Sequence, residues 1–134
     1  MFLGEYTHTL DVKGRLTLPA KIRAPFSMGG VVTRGLDGCL FVLTNEDWES
    51  FTEQLREQLS FNSRSGRALT RHFFASASSV IPDRQGRILI PPFLRKYADL
   101  HSDVVITGAN NRLELWDPER WKETMSVVES NAEE

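Results

Sequence analysis

Residues 11–23 read DVKGRLTLPAKIR, and residues 83–95 read DRQGRILIPPFLR. Asp11 and Asp83, Gly14 and Gly86, Arg15 and Arg87, Pro19 and Pro91, and Arg23 and Arg95 are each 72 positions apart. Asp at the first place and Gly at the fourth suit a type I turn, because the Asp carboxylate bonds backbone N–H groups ahead and Gly tolerates the exit conformation. On either side the residues alternate: Tyr6, His8 and Leu10 against Thr7 and Thr9 before, then Leu16 and Leu18, or Ile88 and Ile90, around Thr17 or Leu89 after. That alternation is the mark of half-buried strands. The spacing therefore predicts a hairpin in each copy, with a rigid two-stranded ribbon ending in the Asp-x-x-Gly tip. Pro19 and Pro91 end the strands and start short helices over AKIRAPF and PFLRKYA.

Past one inserted residue the repeat continues at an offset of 73, matching Gly35 to Gly108, Leu40 to Leu113 and Trp48 to Trp121. Second hairpins are expected around Leu36-Asp37-Gly38 and Ala109-Asn110-Asn111. Closing helices follow. Asn45 is the expected N-cap of the first, which carries Trp48, Phe51, Leu55 and Leu59 on one stripe; Asp117-Pro118 starts the second. Between the copies, SRSGRALTRHFFASASS reads as a junction helix and a Ser-rich run. The boundaries that follow are 1–60 for the first module, 61–76 for the connecting helix, 77–125 for the second module and 126–134 for a disordered acidic tail.

The chain has 134 residues, 40% hydrophobic and 25% charged, within the globular range. Split into two equal modules, each half has about 65 residues and a core that is marginal alone, so the halves should pack together or the chain should self-associate. No leader and no membrane span is apparent, and a cytoplasmic protein is expected. The single cysteine, Cys39, permits no internal disulfide and reads as a small buried hydrophobe.

Net charge is −2, yet it is unevenly placed. Residues 11–23 hold Lys13, Arg15, Lys21 and Arg23 against Asp11, and residues 83–96 hold Arg84, Arg87, Arg95 and Lys96 against Asp83; each stretch sums to +3, leaving −8 for the rest. Local cationic sites on an acidic body suit an anionic partner. Arg15, Arg87, Lys13 and Arg84 would sit together on the hairpin tips, where Arg can bond guanine O6 and N7 and its neighbours can hold phosphates. A plain reading of Arg15 and Arg87 also exists, as surface bridges to the Asp four residues earlier, and so does an oligomeric scaffold that binds an acidic protein partner. Lys21, Arg23, Arg95 and Lys96 fit either a phosphate path or a solvated helix face. Arg64, Arg67 and Arg71 on the junction helix fit a solvated face or pairing between subunits with Glu49, Glu53 and Glu57.

Enzymatic constellations are missing. His8, His72 and His101 share no metal-ligand spacing, and no Walker loop, G-x-S-x-G, G-x-G-x-x-G or H-E-x-x-H is present. No catalytic residue, metal or cofactor is expected. Asp11, Gly14, Asp83 and Gly86 are assigned to shaping the turns.

MFLGEYTHTLDVKGRLTLPAKIR together with DRQGRILIPPFLRKYA resembles the MraZ family of bacterial transcriptional regulators, over about residues 1–125. The resemblance implies an α+β fold of two tandem AbrB-like swapped-hairpin β-barrel modules related by internal pseudo-symmetry, with flanking helices and hairpins that interlock. It further implies a ring-like homo-oligomer, nucleoid-associated, that recognises short direct repeats in the promoter of the division and cell wall gene cluster and represses it. Within the D-x-x-x-R motifs, Arg15 and Arg87 would then contact DNA.

Overall fold

A computed structural model describes the backbone of residues 1–133 and the side chains of residues 1–131. The repeat is an architectural one. The strands of the first copy are β1 (Glu5–Thr9), β2 (Arg15–Thr17), β3 (Gly30–Arg34) and β4 (Leu40–Thr44); their counterparts are β5 (Ser78–Val80), β6 (Arg87–Leu89), β7 (Asp103–Gly108) and β8 (Leu113–Trp116). Six of them form one antiparallel sheet in the order β1-β7-β8-β4-β3-β5, and β2 pairs with β6 separately. Read from either end, the order is the same once each strand is exchanged for its repeat partner. An internal two-fold relates the copies, passing between Leu16 and Ile88 on the ribbon and between Phe41 and Glu114 on the sheet.

The copies exchange strands. β1 pairs with β7 of the second copy, Tyr6 opposite Ile106, and β5 pairs with β3 of the first, Ser78 opposite Val32. The expected β1–β2 hairpin is therefore corrected. Beyond the tip, where Asp11 N–H bonds Arg15 O at 3.0 Å, only an isolated bridge joins Leu10 to Leu16. From there β1 leaves for the sheet and β2 for β6, because each has apolar residues to bury against the other copy. The interlocking expected of the modules occurs here within one chain.

Along β4, Leu40 and Val42 enter one apolar cluster while Phe41 and Leu43 enter another, so the sheet buries both faces. The larger cluster lies between the sheet and the β2–β6 ribbon and takes Leu16, Leu18, Ile88 and Ile90. α1 (Ala20–Arg23), the 3-10 turn Ala24–Phe26 and α4 (Pro92–Ala98) close it, each helix starting after a proline as expected. The smaller cluster is covered by α2 (Asn45–Gln58) and α3 (Arg64–Ser76), with α5 (Pro118–Glu133) bringing Trp121. α3 breaks the symmetry: it packs on β3, where buried Thr33 Oγ1 donates to Phe73 O at 2.6 Å.

Three further expectations change. α2 is capped by Thr44, whose Oγ1 accepts from Asp47 N–H at 3.0 Å; Asn45 instead donates to Met28 O. Thr44 has the extended backbone a cap requires (φ −63°, ψ 163°), whereas Asn45 is already helical. The β3–β4 turn holds one more residue than the β7–β8 turn, so Arg34, not Gly35, is the register equivalent of Gly108. Residues 126–133, expected to be disordered, continue α5, whose Asp117 carboxylate caps Arg120 N–H at 3.1 Å; residue 134 lies outside the described residues. The Leu36-Asp37-Gly38 hairpin stands as expected, with Asp37 and Gly38 both at positive φ (63° and 86°), the signature of a type I′ turn.

Candidate nucleic-acid interface

Each tip is built by its aspartate. Asp11 Oδ1 accepts the N–H groups of Lys13 and Arg15, both at 2.9 Å, while Gly14 N–H returns to Asp11 O at 3.0 Å. Asp83 Oδ1 treats Gln85 and Arg87 the same way, at 2.9 Å each. Gly14 and Gly86 exit the turns at φ +84° and +77°. The second carboxylate oxygen fixes an arginine: Arg15 Nε bonds Asp11 Oδ2 at 2.6 Å and Arg87 Nε bonds Asp83 Oδ2 at 2.8 Å. Backbone donation from Arg15, and from Arg87 in the other copy, holds both carboxyls below the ordinary aspartate value, and the guanidinium bonds add to it.

The bridges do not consume the arginines. Their side chains remain 33% and 26% exposed, and among the described residues neither guanidinium has another hydrogen-bond partner. Each Asp thus restrains an arginine through Nε and leaves the Nη groups to outside acceptors. A solvent-screened bridge of this kind adds little stability, so its main consequence is position.

Sequence reasoning placed one arginine on each of two ribbons; the structure puts both on one. Across β2–β6, Arg15 faces Leu89, Leu16 faces Ile88 and Thr17 faces Arg87. Leu16 and Ile88 are buried, so the strand alternation turns Arg15, Thr17, Arg87 and Leu89 to the outer face. The arginines are diagonal neighbours about 8 Å apart at the backbone. Lys13 lies exposed at one end and Arg84 at the other, but Lys13 is the third residue of its turn and Arg84 the second. The two ends therefore present their outer cations differently.

Arg23 and Arg95 are more engaged than the sequence indicated. Arg23 donates to Leu18 O (2.8 Å from Nη2) and Arg95 Nε donates to Ile90 O at 3.0 Å, and each guanidinium lies over the turn glycine of the opposite copy. A Cβ on Gly14 would fall 2.7 Å from Arg95 Cζ, and one on Gly86 would collide with Arg23 Nε. Their reciprocity is cemented by Leu18 N–H to Gly86 O (2.8 Å) and Ile90 N–H to Gly14 O (2.9 Å). The sequence signal was the retention of Arg at the last place of both phrases; what it could not show was that each serves the other copy's tip.

The remaining candidates resolve into structural positions. His72 Nε2 lies 2.8 Å from Gly35 O and, since a carbonyl only accepts, donates to it; His101 Nε2 lies 2.6 Å from Asp99 Oδ1, and His8 sits on β1. Cys39 is buried with Sγ 3.2 Å from Leu36 O, and burial pushes its thiol up to about 12. Arg67 donates to Phe61 O at 2.9 Å. No helix among the described residues is long and apolar enough to cross a membrane.

The family model described as "MraZ protein, putative antitoxin-like" matches the chain twice, over residues 1–72 and 73–134, with its seam inside α3. Similar curated relatives, each named "Transcriptional regulator MraZ", come from Pediococcus pentosaceus (47% identical, covering 98% of this chain and 91% of the relative), Heliobacterium modesticaldum (49%, 90% and 84%) and Roseiflexus castenholzii (46%, 98% and 92%).

Proposed function

The chain belongs to the MraZ family, a family of transcriptional regulators, and on that premise we propose that it binds double-stranded promoter DNA through the outer face of the β2–β6 ribbon. The observation that carries this reading is the pair Arg15 and Arg87, held through Nε by Asp11 and Asp83 with their Nη groups unengaged. A two-stranded ribbon fits the major groove, and an arginine whose orientation is already restrained loses less entropy on bonding a guanine edge. Lys13 and Arg84 at the ends would meet phosphates.

One ribbon offers few contacts, and multivalency makes up for that. Several ribbons on a ring-like homo-oligomer would engage short direct repeats at high effective concentration, so that repeat spacing adds to specificity. Occupancy of its own promoter, in the division and cell wall cluster, would exclude polymerase and repress. The acidic remainder of the chain limits nonspecific adhesion to DNA and leaves binding strongly salt-dependent. A protein of this kind acts at the nucleoid.

The test is fluorescence anisotropy on the chain's own upstream DNA across a salt series. Arg15→Ala and Arg87→Ala should each weaken binding by about 1–3 kcal/mol if they read bases, relaxing sequence preference. Lys13→Ala and Arg84→Ala should lower the salt slope by about 1 each without changing preference. Equal affinity of the wild type for upstream and scrambled duplexes at every salt concentration would reject the proposal in favour of a scaffold for an acidic protein.

A further inference from the structure

α2 and α3 diverge on the sheet face away from the ribbon, and between them lies an open groove of about 530 Å³. Its walls are apolar: Trp48, Leu55, Leu59, Phe61 and Phe74. Phe61 is 84% exposed and Phe74 44%, a large aromatic area to leave in water. Arg67 and Arg71 stand on its rim beside Glu49, while Arg56 is bridged to Glu53 at 3.5 Å.

The same chain carries a surface of opposite character. α5 begins on its own sheet, with Trp121 packed 5.6 Å from Trp116, and then continues with Val127 60% and Val128 53% exposed. At 100° per residue, Met125, Val127 and Val128 share an arc bracketed by Glu123 and Glu129. Residues 123–133 contain Glu123, Glu129 and Glu133 and no base. That segment is about 16 Å long, comparable to the roughly 20 Å of α3 along the groove.

We propose that the groove between α2 and α3 receives the 123–133 segment of α5 from a second copy of this chain. Val127 and Val128 cover Phe61 and Phe74, and Glu123 and Glu129 meet Arg67 and Arg71. The match of apolar arc to apolar groove and of acidic rim to basic rim identifies the occupant. Because groove and helix are different patches, the contact is head-to-tail, the kind that closes rings or propagates. The inference rests on the self-association in the functional reading and names the surface that produces it. It leaves the ribbon on the opposite side of the sheet free for DNA.

Sedimentation velocity of the full chain without DNA decides it. Val127→Asp with Val128→Asp, and separately Phe61→Ser with Arg71→Glu, should each raise the self-association Kd at least about tenfold, the helical content staying as in the wild type. Glu123→Lys with Glu129→Lys should dissociate the assembly, and adding Arg67→Glu with Arg71→Glu in the same chain should restore it. A wild type that sediments as a single chain at tens of micromolar overturns the proposal, and so does an assembly unmoved by the groove pair, which leaves α5 untouched. Anisotropy on a duplex with a single recognition box separates the two readings: loss of assembly with single-box binding retained supports this interface, whereas loss of DNA binding by Arg15→Ala bears only on the ribbon.

Discussion

Gly14→Ala tests whether the two copies lock each other's tips. At φ +84° an L-residue is strained, costing about 1–2 kcal/mol. The new methyl would also lie 2.7 Å from Arg95 Cζ and displace the guanidinium from Ile90 O, where its Nε donates at 3.0 Å. Losing that bond from a half-buried arginine costs about 1–2 kcal/mol more. The sum is about 2–4 kcal/mol, whereas Gly→Ala at a compatible site stabilises by about 0.4–1 kcal/mol. Urea denaturation of Gly14→Ala, Arg95→Ala and the double variant separates the parts. With Arg95 already removed, only the backbone cost of about 1–2 kcal/mol should remain, giving a coupling of about 1–2 kcal/mol. The equivalent cycle on Gly86 and Arg23 should behave alike. A coupling below about 0.5 kcal/mol in both cycles would refute the reasoning, since the guanidinium would then not be resting on the glycine.

Thr44→Ala should destabilise by about 1 kcal/mol through loss of the Asp47 cap, and Asn45→Ala by clearly less, measured by the same urea titration. Carbon-detected NMR titration should find the Asp11 and Asp83 carboxyls below 3.8; since the folded values are depressed, their stabilisation of the tips is complete above the unfolded value and fades as pH falls through the folded one. Asp11→Asn should remove that pH dependence from Arg15 resonances and leave those of Arg87 unchanged. Cys39 should resist thiol reagents at pH 8 until the protein unfolds, because its thiol is buried and pushed up to about 12; rapid labelling of the native protein would contradict its placement.

Local chemistry was readable from the residues alone. Asp-x-x-Gly forms its turn from bonds spanning four positions, Pro19 and Pro91 start their helices by fixing φ, and Asp37-Gly38 supplies two positive φ angles. The cation clusters and the 72-residue echo needed only counting. Cap assignment failed at Thr44 because two adjacent polar residues both suit an N-cap, and the point where β4 ends decides between them.

Strand partnership belonged to the tertiary structure. Every backbone offers the same N–H and C=O groups, so the pattern that marks β1 and β2 as strands fits the near neighbour and the distant copy equally. Burial chose the distant copy: Leu16 and Ile88 reach one shared core only when β2 pairs with β6 and β1 with β7. That exchange is what brings Arg15 and Arg87 onto a single face, and sets Arg23 and Arg95 against glycines some 60 to 80 residues away in the chain. The residues thus specified which side chains would be available, and long-range burial of apolar surface decided which of them would stand together.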